Sequence, residues 1–236
     1  MRVGYYILIL ITDPTQNNMV GGAVVGIPNI FLITKQKQMA LTKNVTDFIE
    51  HVKGHCRRVG IKCEIRPVKY LVLSGNIRCG GYFDDDNKKL VVAGKHKDWI
   101  GILVHEYAHL TQWEENCEPW KKGCTGLNNL EHWLSGNKIR NVKDAVARAR
   151  NLEHDNELRS VKLIKKWKLP VNLPEYIQKA NAYLQFYNYM KYTRRWSKPN
   201  NSPYSNPKVW KEMPTKFNMN YETMGKKWFQ LYKQNN

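Results

Sequence analysis

Trp99-Ile100-Gly101-Ile102-Leu103-Val104-His105-Glu106-Tyr107-Ala108-His109-Leu110 is the stretch that decides how the rest of the chain is read. It sets a His-Glu-x-x-His pattern inside an apolar run. On an α-helix, residues four apart are offset by only about 40° with about 6 Å of rise, so His105 and His109 point their imidazoles at one spot. Two nitrogens aimed at one spot are half of a zinc site. Glu106 lies about 100° further round, where its carboxylate reaches a metal-bound water rather than the metal, which suits a general base. Ile100, Ile102, Leu103 and Val104 surround the motif with apolar groups, as in a helix buried inside a domain. Buried imidazoles and a buried carboxylate cost free energy unless satisfied, by backbone hydrogen bonds if they are core residues or by a metal if they are ligands.

A catalytic zinc takes three protein ligands and keeps a fourth position open, so a third ligand must come from elsewhere. Position 112 is Gln and position 115 is Glu, so the extended three-histidine pattern is absent. The helical pattern from Val142 to Trp167 supplies a candidate. At 100° per residue, Val142, Val146, Ala149, Leu152, Leu163, Ile164 and Trp167 form an inward stripe roughly 120° wide. Glu153 falls near its middle and Glu157 on its edge, one turn on. A carboxylate aimed at a core needs a partner, and a metal is the partner otherwise lacking. Glu153 is therefore expected as third ligand, and Glu157 as the carboxylate that holds a ligand histidine in the required tautomer. Glu131 is the rival, lying near the apolar side of Leu127, Leu130 and Leu134.

Further elements follow from pattern. Val45, Phe48, Ile49 and Val52 predict an amphipathic helix over 44–60. Ile61 to Leu73 reads as a strand bent at Pro67, and Ile77 to Phe83 with Lys89 to Ala93 as a hairpin closed by the Asp84-Asp85-Asp86 turn, which lacks the ligand spacing of a calcium loop. After the metal helix, expected from Lys97 to Trp113, Gly123, Gly126 and Gly136 accompany a short amphipathic piece, Leu127 to Leu134. Glu175 to Tyr192 makes a further helix, and Ser197 to Pro207, with three Pro and three Asn, is a loop. Residues 1–42 are glycine-rich and read as an extension of undetermined structure, with a buried strand at Tyr5 to Ile11.

The 236 residues suffice for one large domain, or one domain plus an extension. Lys and Arg number 38 against 20 Asp and Glu, a formal charge of +18, which favours polyanionic partners. Five cysteines with no Cys-x-x-Cys pair fit reduced thiols in a cytoplasm-like compartment better than a disulfide framework. No apolar run reaches the roughly 18–20 residues of a membrane-spanning helix, and Thr12-Asp13-Pro14 is a poor cleavage site, so secretion is not expected.

On these residues the chain resembles known enzymes. His105-Glu106-x-x-His109 with a downstream Glu153-x-x-x-Glu157 looks like the gluzincin metallopeptidases, which usually carry Glu-x-x-x-Asp; here Glu157 replaces the Asp. Gly81-Tyr82-Phe83, Leu103-Val104-His105-Glu106-Tyr107, Thr111-Gln112-Trp113 and Ile177-Gln178-Lys179-Ala180-Asn181-Ala182-Tyr183 resemble a metallopeptidase family encoded by bacteriophages and large viruses, over about residues 44 to 217. The resemblance implies an α+β, zincin-like fold, mainly helical, with a small antiparallel sheet whose edge hairpin precedes the metal helix. It implies a domain over 43–196, with 197–236 a basic aromatic segment packed on it, and action in a host cytoplasm.

The expected activity is zinc-dependent peptide-bond hydrolysis, with Glu106 as general base, His105, His109 and Glu153 on Zn²⁺, and a peptide or protein added as a strand along the hairpin edge. Tyr183 and Tyr187 are candidates for the oxyanion partner. Two rival readings stand beside it. From His154 to Asn236 there are 16 Lys and Arg against 5 Asp and Glu, interleaved with aromatics, which suits a nucleic-acid-binding protein with a structural or vestigial metal. The third reading is a metal-site fold that only binds proteins.

Overall fold

A computed structural model describes residues 41–73, 78–197 and 202–235. The expectations for the N-terminal extension up to residue 40 lie outside the described residues. Helix α1, Lys43–Arg58, forms where Val45, Phe48, Ile49, Val52 and Cys56 recur at helical spacing, and all five are buried. His55, Arg57 and Arg58 occupy its last turn, where cations oppose the helix dipole.

Five short strands follow: β1 (Lys62–Arg66), β2 (Leu71–Val72), β3 (Arg78–Cys79), β4 (Gly81–Asp84) and β5 (Lys89–Ala93). β4 and β5 form an antiparallel hairpin as expected, but its first arm is shorter than Ile77 to Phe83, because Arg78–Cys79 is the separate strand β3 and pairs with β2 instead. The sheet is mixed rather than antiparallel, however, because β1 lies parallel to β5 in the order β1-β5-β4. The hairpin places its second arm against β1, and that arm runs opposite to the first, which itself runs opposite to β1. β4 is therefore terminal in the sheet.

The strand expected from Ile61 to Leu73 ends at Arg66. Pro67 has no N–H to give a ladder, and Val68 N–H turns back onto the Arg66 carbonyl at 2.8 Å. The chain resumes as β2, which pairs with β3 in a separate two-stranded sheet.

Helix α2, Trp99–Glu114, carries the motif, and every residue from Gly101 to Leu110 is buried. Helix α3, Glu118–Leu134, is far longer than the piece expected from Leu127 to Leu134. Its Gly123 and Gly126 do not break it. A Cβ at Gly123 would stand 2.4 Å from Leu152 Cβ, and one at Gly126 would stand 2.9 Å from the Ala145 carbonyl oxygen, so the glycines let α3 lie directly on the next helix. That helix, α4, runs Val142–Trp167, capped by Asn141, whose side chain accepts from Asp144 N–H at 3.0 Å. Helix α5, Leu173–Thr193, is capped likewise by Asn172, and α6 (Pro207–Trp210) and α7 (Lys226–Asn235) follow.

The buried residues form two main cores. The first joins α1, the three-stranded sheet, α2 and the C-terminal half of α4 around Phe48, Phe83, Leu90, Leu103 and Leu110. The second joins α3, α4 and α5 to the C-terminal segment through Phe186, Tyr187, Val209, Met213 and Tyr232. No described helix is long and apolar enough to cross a membrane.

Candidate metal centre

α2 presents His105 and His109 on one face, and their Nε2 atoms stand 3.1 Å apart. α4 crosses that face and brings Glu153 Oε2 to 3.8 Å from the first nitrogen and 3.6 Å from the second. These three atoms come from residues at most 1% exposed. A triangle with those sides has a point about 2 Å from every corner, which is the length of a zinc–imidazole or zinc–carboxylate bond. His105, His109 and Glu153 thus lie close enough to bind one metal ion.

The outward nitrogens are also committed. His109 Nδ1 lies 2.8 Å from Gln112 Oε1, while Gln112 Nε2 donates to the Leu152 carbonyl at 3.0 Å and to Asp155 Oδ2 at 2.7 Å. Those two acceptors fix which end of the amide faces the imidazole. An oxygen there requires a proton on Nδ1, which leaves the lone pair of His109 Nε2 facing His105 and Glu153. Arg159 Nε holds Asp155 in turn at 2.7 Å. His105 Nδ1 lies 3.2 Å from Glu157 Oε1 and 2.9 Å from the Asn156 carboxamide. The Glu157 carboxylate accepts from Nδ1–H, again directing Nε2 inward, and the Asn156 amide, whose nitrogen stands at 2.9 Å, becomes a second acceptor only when flipped.

The electrostatics of the centre is set by burial. Both oxygens of Glu153 and both of Glu106 are buried without a hydrogen-bond partner among the described residues. Burial, partly opposed by His105, pushes the Glu153 carboxyl up to about 8. Burial and the neighbouring Glu153 charge raise Glu106 well above the usual range. Burial lowers His109 to about 4. A cluster of buried carboxylates with neutral imidazoles is the environment that a cation would satisfy. The donor set of two imidazoles and one carboxylate suits a borderline divalent ion such as zinc or iron.

Glu106 is held by close approach of the sheet. A Cβ added at Gly81 would lie 2.6 Å from Ile102 Cγ2 and 3.1 Å from Glu106 Cγ, so only glycine lets terminal strand β4 settle on α2 at this carboxylate. Comparison with protein-family models, curated proteins and solved structures finds no match for this chain.

Of the residues singled out from sequence, the structure brings His105, His109, Glu153, Glu106 and Glu157 together. Glu131 is exposed on α3 and belongs to no such group. Tyr183 and Tyr187 are buried, with hydroxyls 3.1 Å apart, and burial followed by the Glu153 charge raises both. Sequence reasoning missed Gln112 and Asn156. Gln112 was readable in principle, because it lies three residues after His109 on the same helix face. Asn156 carries no comparable signal, being a polar residue at the margin of an apolar stripe.

His105, His109 and Glu153 are buried, and a cavity of about 1120 Å³ lies on the side of the centre where Glu157 stands. Glu157, Ile102 and Tyr183 form part of its wall. Its mouth is formed by the loops before β2 and α2, the start of α5, and the C-terminal segment.

Proposed function

We propose that the chain is a zinc-dependent metallopeptidase with a gluzincin-type centre, akin to the viral and phage enzymes its motifs resemble. The observation that carries this reading is the convergence of His105, His109 and Glu153 with Glu106 adjacent on the same helix. Two imidazoles and one carboxylate form a catalytic zinc donor set that leaves a position free, and the zincin-like arrangement of sheet, motif helix and second helix is part of the proposal.

Zinc held there supplies a polarised, readily deprotonated water and a Lewis acid for the scissile carbonyl. The chain's own residues do the rest. Glu106, one position along the helix from His105, would take a proton from a metal-activated water and deliver it to the leaving amine nitrogen. Gln112 and Glu157 keep the two imidazoles oriented. β4, terminal in its sheet and buried along its length, is the strand beside Glu106 with which an extended peptide would have to pair. Tyr183 and Tyr187, whose hydroxyls stand 3.1 Å apart within reach of the Glu153 charge, are the candidates for facing a developing oxyanion.

The test is metal analysis of the purified full chain together with hydrolysis of casein or a peptide library. Zinc at one per chain and cleavage that disappears in Glu106→Gln while the zinc stays are expected. A wild type that takes up no zinc, or one equally active as Glu106→Gln, overturns the reading.

A further inference from the structure

The cavity beside the centre has an uneven chemistry. Lys69, Lys95, Lys97 and Lys208 line it, and none of the four makes an ion pair among the described residues. Two of its carboxylates, Asp98 and Glu175, are both taken by one residue, Lys179, at 3.1 and 2.7 Å. Glu157, in the deep wall, lies 3.2 Å from ligand histidine His105. The lining therefore carries five lysines against three carboxylates, a net positive charge in which Lys69, Lys95, Lys97 and Lys208 are the cations without an ion pair among the described residues. The walls are apolar and aromatic, including Ile102, Tyr176 and Trp210. Ile102 also carries the cavity to the place where β4 meets α2, since its Cγ2 is the nearest atom to a Cβ built on Gly81.

We propose that this cavity is the substrate subsite of the centre and that it selects an acidic peptide, with Asp or Glu side chains at the lysines and an apolar residue among the aromatics. This rests on the peptidase reading of the metal centre. Charge complementarity carries it: four unpaired ammonium groups around a concave, apolar-walled site attract and retain a ligand bearing several carboxylates, and the walls reward a side chain that a nucleic-acid backbone does not supply. Placement carries it further, since a chain seated here would lead along Ile102 to the strand margin beside Glu106.

The experiment uses full-length Glu106→Gln protein, which cannot turn over, and reads fluorescence anisotropy of three labelled probes. These are an Asp/Glu-rich peptide with interspersed Leu, the same peptide with Asn and Gln replacing its acids, and a single-stranded oligodeoxynucleotide. The acidic peptide should bind at least about tenfold tighter than its amide counterpart. Adding Lys95→Glu and Lys97→Glu, both exposed, should weaken it by about tenfold or more. The same charge change at exposed Lys138 and Lys143, outside the cavity, should cost less than about threefold. Equal losses in the two double variants would make net charge the cause and overturn the subsite. So would an oligonucleotide that binds tighter than the acidic peptide with the same dependence on Lys95 and Lys97. Cleavage of peptides without acidic preference would remove the subsite and leave the peptidase. Acidic-peptide binding by a zinc-loaded wild type that hydrolyses nothing would remove the peptidase and leave the binding site.

Discussion

Gln112 Oε1 sits 2.8 Å from His109 Nδ1 and has no freedom to turn away, because the amide's nitrogen is held by the Leu152 carbonyl and by Asp155. A backbone carbonyl and a carboxylate of α4 thus determine the tautomer of an imidazole on α2. Replacing Gln112 by Leu keeps the bulk and removes the acceptor. Metal affinity should fall about 10- to 100-fold, the usual cost of losing an outer partner of a ligand histidine. Competition with a chromogenic chelator measures it, and an unchanged affinity would mean that Gln112 only fills space.

Glu153 is distinguished from Glu131 by burial, the first 0% exposed and the second on the solvent side of α3. Glu153→Ala should abolish stoichiometric metal binding, as should His105→Ala, whereas Glu131→Ala should leave one ion per chain. Metal content after gel filtration reads all three. Retention of a full equivalent by Glu153→Ala would assign the third ligand elsewhere.

The pKa shifts give the metal-free protein a distinctive pH dependence. Glu153 is raised from 4.5 to about 8 and Glu106 is raised as well, so the native state keeps protons that the unfolded chain releases. Their contribution makes stability fall as pH rises from about 4.5 to about 8. His109, lowered from 6.5 to about 4, stays neutral while the unfolded histidine charges, so its contribution rises with pH between those values. Above 6.5 that histidine contribution is exhausted, and of the groups at the centre only the carboxylates still act. The Tm of chelator-treated protein should therefore decline between pH 6.5 and 8, and added zinc should erase the decline. A flat or rising Tm over that interval would contradict the burial of ionisable carboxylates at the centre.

Which parts of this were readable beforehand follows from the reach of each signal. The boundaries of α4 and the inward direction of Glu153 came from one helix's periodicity, and Val146, Ala149, Leu152 and Glu153 are indeed buried together. The parallel contact of β1 with β5 was not readable, because hairpin signals are local and pairing with a third strand is set by what packs elsewhere. Pro67 marked a bend, but its missing N–H ends the strand and sends the chain to another sheet. The first half of α3 was hidden by Gly123 and Gly126, whose low helix propensity argues against a helix until the close approach of α4 is known. Gln112 was noticed only for the residue it replaced.

Those glycines give the sharpest separation of local preference from packing. Gly54 lies in α1, and a Cβ there would meet nothing nearer than the ends of Arg57 and Arg58 at 3.9 Å. Gly54→Ala should stabilise the protein by about 0.5–1 kcal/mol through backbone entropy alone. Gly123→Ala makes the same chemical change inside α3 but brings Cβ to 2.4 Å from Leu152 Cβ. The overlap forces α4 outward at the residue preceding Glu153, at a cost of about 1–3 kcal/mol that exceeds the propensity gain. Trimming Leu152 to Ala should not restore stability, since the clashing atom is the Cβ that alanine retains. Metal affinity should fall with stability in Gly123→Ala and stay unchanged in Gly54→Ala. Thermal melts and metal titrations of the two variants check both effects, and a stabilised Gly123→Ala protein with normal metal affinity would show that α3 does not set the position of Glu153.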